Sequence, residues 1–105
     1  MILYSVSVVV PVDVADEWSN WMQTIHIPDV MATGIWKEAR FSRVHEPVMD
    51  SHVTFQTQYL CSSYDDFDRY RTDHAPALQA HHNELFGSRV MASRSVQEVV
   101  AEFTA

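Results

Sequence analysis

The spacing of hydrophobic residues changes several times along the chain, and each change marks a predicted element. Residues 2–10 are rich in β-branched side chains and predict a strand, which Pro11 ends because proline cannot donate to a central ladder. After residue 13 the apolar positions recur every three or four residues, the spacing of an amphipathic helix. The residues on this face are Val14, Trp18, Trp21 and Ile25.

The ends of this helix carry their own signals. Asp13 is a plausible N-cap, and Pro28 should break or kink the helix near His26 and Ile27. A short helical turn then reaches residue 33, and Gly34 closes it in the left-handed conformation that glycine favours. We therefore expect one interrupted helix between residues 14 and 33.

The second half of the chain follows the same plan. Strands are predicted at about 35–44 and 52–61, joined as a hairpin through the turn-prone residues 45–50. Ser63 should cap a second helix that Pro76 kinks and Gly87 ends, again as a left-handed residue, before a last strand. The predicted apolar face of that helix is Phe67, Tyr70, His74, Leu78 and Leu85.

A short pattern occurs once in each predicted helix. The pattern has a His, a Pro, a branched apolar residue and an Ala, each two residues after the one before. It occupies positions 26, 28, 30 and 32 in the first helix and positions 74, 76, 78 and 80 in the second. The copies indicate two equivalent βαβ halves, so the element order is β-α-β-β-α-β, the ferredoxin-like motif. The predicted fold class is α+β, a single domain over residues 1–105 with an antiparallel sheet in strand order 4-1-3-2.

Alternation along the strands assigns their faces. The side chains expected under the helices are Tyr4, Val6, Val8, Val53, Phe55, Thr57, Tyr59 and Cys61. The polar residues of the opposite face are Ser5, Ser7, Gln56, Gln58, Ser93, Ser95 and Gln97. The same alternation predicts apolar residues on this opposite face, namely Leu3, Val9, Trp36, Val44, Leu60 and Met91. This face either meets water or packs against the same face of a second copy as a homodimer.

Composition and charge limit the classes of binding partner that we expect for this chain. The chain has 105 residues, 47% of them hydrophobic, and a formal charge of −7, which opposes binding to nucleic acid or to an anionic membrane. Cys61 is the single cysteine, so no internal disulfide can form and a cytoplasmic location is expected. The apolar N-terminus lacks basic residues and is too short to span a bilayer.

Several segments together carry a family resemblance. With "EWSNWMQTIHIPDVMATG", "KEARFSRV" and "YRTDHAPALQA", the sequence resembles a bacterial family known as domain of unknown function 4286, a branch of the dimeric α/β-barrel superfamily. The resemblance covers almost the full length, apart from the tail after Val100. It implies a four-stranded antiparallel sheet, both helices on one face, and a homodimer formed through the free sheet faces.

The same resemblance leaves the activity open. Relatives in the wider superfamily include cofactor-independent monooxygenases, stress-responsive barrel proteins, muconolactone isomerase-like enzymes and haem-binding barrels. Fold analogy alone cannot choose among them.

Two histidines are the candidates for acid–base chemistry. An imidazole group suits acid–base chemistry in general, and His26 and His74 both lie beside proline breaks, although a histidine at such a break can instead hydrogen-bond to the backbone alone. No histidine pair has chelating spacing, so no metal site is predicted. No nucleotide loop, Ser-His-Asp order or paired carboxylate stands out, so no cofactor is predicted. Cys61 is expected as a core residue.

The layer between helices and sheet is the expected place for a ligand. It is aromatic with few polar groups, as in pockets for flat apolar molecules. The candidate ligand-binding residues are Trp18, Trp21, His26, Tyr59, Tyr70 and His74. Two functions remain: binding of a small apolar or aromatic molecule, with or without cofactor-independent catalysis, and a non-catalytic dimeric protein-interaction module. A cavity that reaches either histidine would favour the first function.

Overall fold

The computed structural model describes residues 1–105, and its elements follow the predicted order. The first half contains β1 (Ile2–Pro11), α1 (Ala15–Trp21), a π-helical turn (Met22–His26), α2 (Ile27–Ala32) and β2 (Glu38–Arg43). The second half contains β3 (His52–Cys61), α3 (Tyr64–Asp73), α4 (Ala75–Phe86) and β4 (Met91–Glu98). No helix is long and apolar enough to cross a membrane.

The four strands form one antiparallel sheet in the order β2-β3-β1-β4. Tyr4 of β1 lies opposite Tyr59 of β3 and opposite Val96 of β4, which fixes the register of the central strands. The predicted α+β ferredoxin-like fold and the strand order 4-1-3-2 are confirmed. The edge strands are β2 and β4, and all eight residues of β4 are exposed.

The core lies between the helices and one face of the sheet. Every second residue of β3 is buried, in the alternation that the sequence predicts. Trp18 of α1 is completely buried beside Phe55, with ring centroids 5.2 Å apart. Phe41 stacks on Phe55 at 5.3 Å, so this residue of β2 belongs to the helix-covered face.

The first helix differs from its prediction at its start and middle. Val14, not Asp13, occupies the N-cap position, and no side chain caps the helix. Ile25 is 40% exposed rather than buried. The π turn explains this outcome, because the Ile27 N–H donates to the Met22 carbonyl five residues back and the wider turn rotates the following residues. Met22 is buried instead, and His26 is half-buried.

Both helices break at equivalent places. α2 and α4 each begin one residue after a repeat histidine, His26 or His74, and each has its proline in the first turn. Proline cannot donate to the preceding turn, so each helix is interrupted just before it. The two breaks differ in form, since the first is a π turn and the second is a single non-helical residue, His74.

The two glycines end their helices in different ways. Gly34 has φ +78°, the left-handed conformation that the sequence predicts. The same prediction for Gly87 is wrong, because its φ is −54°. A β-carbon at Gly87 would lie 2.7 Å from the Asn83 carbonyl oxygen, so close approach of the backbone, rather than handedness, favours glycine here.

Two further burial predictions are wrong. Trp36, expected on the free face, is only 5% exposed and packs in the core at 5.7 Å from the Tyr4 ring. It lies before β2, where strand alternation does not apply. Leu85 is 44% exposed, and its neighbour Phe86 is buried in its place.

Candidate functional site

A cleft of about 280 Å³ lies between the helices and the edge of the sheet at β4. It exists because the helices leave β4 uncovered. β1 and β4 form its floor, and α3 and α4 form its wall. The residues that line it include Tyr4, Phe67, Tyr70, Ala75, Gln79 and Arg94.

A smaller cavity of about 40 Å³ adjoins the cleft and leads towards α1. The two spaces share four lining residues, namely Tyr4, Tyr70, Gln79 and Arg94. The inner cavity adds His26, which the π turn presents, and Tyr59 from β3. The inner cavity therefore brings an imidazole group close to the space that opens at β4.

The inner wall is a continuous aromatic cluster centred on Tyr4. The Tyr4 ring centroid lies 5.2 Å from that of Phe67, 6.0 Å from that of Tyr59 and 6.1 Å from that of Tyr70. Trp36 closes the cluster, 5.0 Å from Tyr70. Rings at these separations pack favourably, so the wall is apolar and fixed in shape.

The tyrosine hydroxyls remain protonated at neutral pH. Burial raises the pKa of Tyr59 and of Tyr70, because a phenolate loses its hydration in the layer. Burial also raises the pKa of Tyr4, although the charge of the nearby Arg94 opposes this shift. These residues therefore offer neutral hydroxyl groups to anything that enters the cleft.

His26 is uncharged at neutral pH. Burial is the main reason why its pKa falls from 6.5 to about 4, and the charges of His82, His81 and Arg94 lower it further. Asp29 acts in the opposite direction. The imidazole stacks on Trp21 with ring centroids 5.4 Å apart. A neutral imidazole can accept a proton or a hydrogen bond from a ligand.

His82 is a buried histidine that the sequence reasoning missed. Its Nε2 accepts a hydrogen bond from the Trp18 indole at 3.0 Å, so its Nδ1 carries the proton and faces the Asn83 side-chain oxygen at 3.3 Å. Burial lowers its pKa. A signal was available, because His82 lies four residues after Leu78 and four before Phe86 on the apolar face of the helix.

The structure separates the six candidate ligand residues into two groups. His26, Tyr59 and Tyr70 line the inner cavity, and Tyr70 also lines the outer cleft. Trp18 is enclosed in the core, and Trp21 stacks behind His26. His74 stacks on the Tyr70 ring at 6.4 Å and lines neither space. Gln79 and Arg94, which sequence reasoning did not select, line both.

One other surface feature is less suited to chemistry. A depression of about 550 Å³ lies where β1 begins, lined by Met1, Ile2, Ser63, Tyr64, Val96 and Glu98. It contains no histidine or arginine. No group of three or more His, Cys, Asp or Glu side chains is arranged to hold a metal ion. The cleft at β4 is the place where aromatic, imidazole and cationic groups meet.

Solved structures with the same fold are distant in sequence. A dimeric ferredoxin-like protein from an uncultured marine organism superposes with a TM-score of 0.74 at 10% identity, covering 100% of both chains. HapK from Hahella chejuensis gives 0.70 at 12% identity, covering 100% of this chain and 99% of that one. SnoaB, a cofactor-independent oxygenase from Streptomyces nogalater, gives 0.72 at 10% identity, covering 99% and 98%.

Fold and site together define a ferredoxin-like α+β protein with an aromatic cleft beside an open sheet edge. No curated protein matches the sequence. Residues 1–100 match the family described as Domain of unknown function (DUF4286), and the chain belongs to that family. The resemblance carried by the Trp18 and Trp21 segment and the two His-x-Pro copies is thereby confirmed.

Proposed function

We propose that this protein binds a small apolar or aromatic molecule in the cleft at β4. The observation that carries the proposal is a pair of adjoining spaces between helices and sheet, which share four lining residues and of which the inner one is also lined by His26. Ligand sites are concave, mostly apolar and supplied with a few convergent polar groups. Tyr4 and Tyr70 supply the apolar wall, while Gln79 and Arg94 supply the polar groups.

The size of the cleft limits the ligand. Ligand pockets usually enclose roughly 300–1,000 Å³, and the cleft measures about 280 Å³. A molecule of one or two rings fits this space, and the adjoining cavity of about 40 Å³ leaves room for one further substituent near His26.

Within this proposal the protein is a cofactor-independent enzyme in which His26 exchanges a proton with the bound molecule. His26 is the imidazole that lines the cavity, and it is neutral and therefore able to accept a proton. The proton would pass from an acidic C–H or O–H of the ligand to the imidazole ring. The similarity in fold to a cofactor-independent oxygenase is consistent with such chemistry but does not assign it.

The proposal includes a homodimer formed through the free face of the sheet. Leu3, Leu60 and Met91 lie on that face beside polar residues, and Met91 is 74% exposed in the isolated chain. Pairing two such faces about a two-fold axis would remove this apolar surface from water. The description of one neighbour as dimeric supports this arrangement.

The competing function is a non-catalytic interaction module. If it were correct, the core would be filled and its histidines would hydrogen-bond only to backbone groups. His82 has no nitrogen free for a ligand, although its partners are the side chains of Trp18 and Asn83 and not the backbone. His26 does not fit the description of a filled core, because it borders the cavity. The cavity at His26 therefore supports ligand binding over the interaction module.

A cleft-blocking variant tests the proposal. Gln79→Trp places an indole in both spaces, whereas Ala80→Trp adds the same group to the exposed side of α4. Calorimetric titration with naphthamide, an uncharged two-ring probe, should show binding to the wild type and to Ala80→Trp, and at least about tenfold weaker binding to Gln79→Trp. Equal binding to all three proteins would refute the cleft as the site.

A further inference from the structure

Arg94 is a cation without an acidic partner inside the cleft. The two ion pairs of the structure join Arg69 to Asp66 and Arg71 to Asp68 on the surface of α3. Arg94 takes part in neither. A guanidinium group presents five N–H donors in a fixed planar fork, which matches a carboxylate through two parallel hydrogen bonds.

The sheet register directs Arg94 towards the helices. Arg94 lies opposite Val6 of β1, on the same side of the sheet as Tyr4 and Val96. Its side chain lines both the outer cleft and the inner cavity, as does that of Gln79 from α4. The guanidinium of a strand residue and the amide of a helix residue therefore face the same space.

The remaining lining of both spaces contains no carboxylate. The chain has 14 Asp and Glu residues, yet none lines the outer cleft or the inner cavity. The other polar groups of the lining are the hydroxyls of Tyr4, Thr57, Tyr59, Tyr70 and Ser95, the amide of Gln79, the imidazole of His26 and the guanidinium of Arg71, which Asp68 already pairs. Each of these groups can donate a hydrogen bond to an anion, and none of them neutralises the charge of Arg94.

We propose that the cleft selects an aromatic molecule that carries a carboxylate, and that Arg94 binds this carboxylate with help from the Gln79 amide. This inference rests on the proposed function and adds the charge of the ligand to it. The aromatic ring packs against Tyr4 and Tyr70, and the carboxylate lies at the β4 side. The chain as a whole carries a net charge of −7 and repels anions, so Arg94, the cation of the cleft that no carboxylate pairs, is the local feature that admits one.

The experiment compares naphthoate with its uncharged counterpart naphthamide by calorimetric titration. The wild type should bind naphthoate at least about tenfold more tightly, since hydrogen bonds to charged groups contribute roughly 1.5–3 kcal/mol. Arg94→Gln should remove that preference and leave the naphthamide affinity within about twofold. Arg71→Gln deletes the same charge from a second residue that lines the outer cleft, but Asp68 already neutralises that charge, so the preference should be preserved.

Each outcome separates this inference from the proposed function. Equal affinity of the wild type for naphthoate and naphthamide would overturn the role of Arg94 and leave the cleft as a binding site. Binding of neither probe would overturn the proposed function, and the inference with it. An equal loss of preference in Arg71→Gln would show that general charge, not Arg94, selects the anion. A preference that persists in Arg94→Gln would also overturn the role of Arg94. If Arg94→Gln fails to fold, the ratio of the two wild-type affinities still tests the selection of a carboxylate.

Discussion

Trp18 and Trp36 are both buried indoles, but only the first has a partner for its N–H. The Trp18 Nε1–H donates to His82 at 3.0 Å, whereas the Trp36 Nε1–H has no hydrogen-bond partner. A buried donor without a hydrogen bond destabilises the folded state. A buried acceptor destabilises it in the same way when a substitution removes its donor. The two residues should therefore respond differently to the same substitution.

We predict that Trp18→Phe lowers the free energy of unfolding by about 2 kcal/mol more than Trp36→Phe. Both changes remove the same volume from the core, but Trp18→Phe also leaves the His82 ring nitrogen unpaired, while Trp36→Phe removes an unpaired donor. Urea denaturation of both variants measures the difference. Equal destabilisation would show that the Trp18–His82 hydrogen bond contributes nothing.

The lowered pKa of His26 predicts that acid destabilises the fold. Because the folded-state pKa is about 4 and the unperturbed value is 6.5, the unfolded chain binds a proton first as the pH falls. Stability is therefore complete above pH 6.5 and declines towards pH 4. The contribution of His26 is about 2 kcal/mol, after allowance for its partial exposure to solvent.

Denaturation at a series of pH values tests this prediction with two variants. His26→Gln cannot titrate, so its stability should fall by about 2 kcal/mol less than that of the wild type between pH 7 and pH 4. His45→Gln, at an exposed loop position, should follow the wild type. A His26→Gln profile parallel to the wild-type profile would contradict a buried, neutral His26.

At the scale of elements, Gly34 gives a further prediction. Gly34 has φ +78°, so Gly34→Ala forces a β-carbon into the left-handed region and should cost about 1 kcal/mol. No atom lies within 4 Å of that β-carbon, so the cost is conformational rather than steric crowding by neighbours. Ser51 has φ +61°, and Ser51→Gly is expected not to destabilise the protein. Thermal unfolding of the two variants measures their stabilities against that of the wild type. If Gly34→Ala is as stable as the wild type, the left-handed conformation at residue 34 carries no strain for alanine.

The elements that follow a strict period were predictable from the sequence. β3 was predicted at its observed bounds because its residues alternate between apolar and polar for the whole strand. The π turn was not predictable, since residues 22–26 fit an α-helical period equally well. That turn decides that His26 rather than Ile25 is turned towards the core. Trp36 was misplaced because it precedes β2, outside any period.

The cleft itself depends on an arrangement of elements that no local pattern encodes. The sequence places aromatic residues in the layer, and His26, Tyr59 and Tyr70 do line the inner cavity. Gln79 and Arg94 were not selected, because each looks like an ordinary surface residue within its own element. Only the register of β4 against β1, and the gap that the helices leave above it, brings the two side chains together.

At the scale of the whole molecule, the proposed dimer is tested by mass in solution. Light scattering should give about twice the chain mass of 12.1 kDa. Leu60→Glu introduces a charge on the free sheet face and should yield a monomer, whereas Leu85→Glu, on the exposed side of α4, should leave the dimer intact. A wild-type monomer, or dissociation by Leu85→Glu alone, would contradict the proposed interface.

The central claim, that a small aromatic molecule occupies the cleft at β4, is tested most directly by amide NMR. Isotope-labelled protein is titrated with naphthoate, and the affected residues are mapped. The largest shift changes are expected around Tyr4, Gln79 and Arg94, with little change in the hairpin turn at residues 45–50. Absence of changes at millimolar naphthoate, or changes confined to the free face around Gln58 and Leu60, would contradict the central claim.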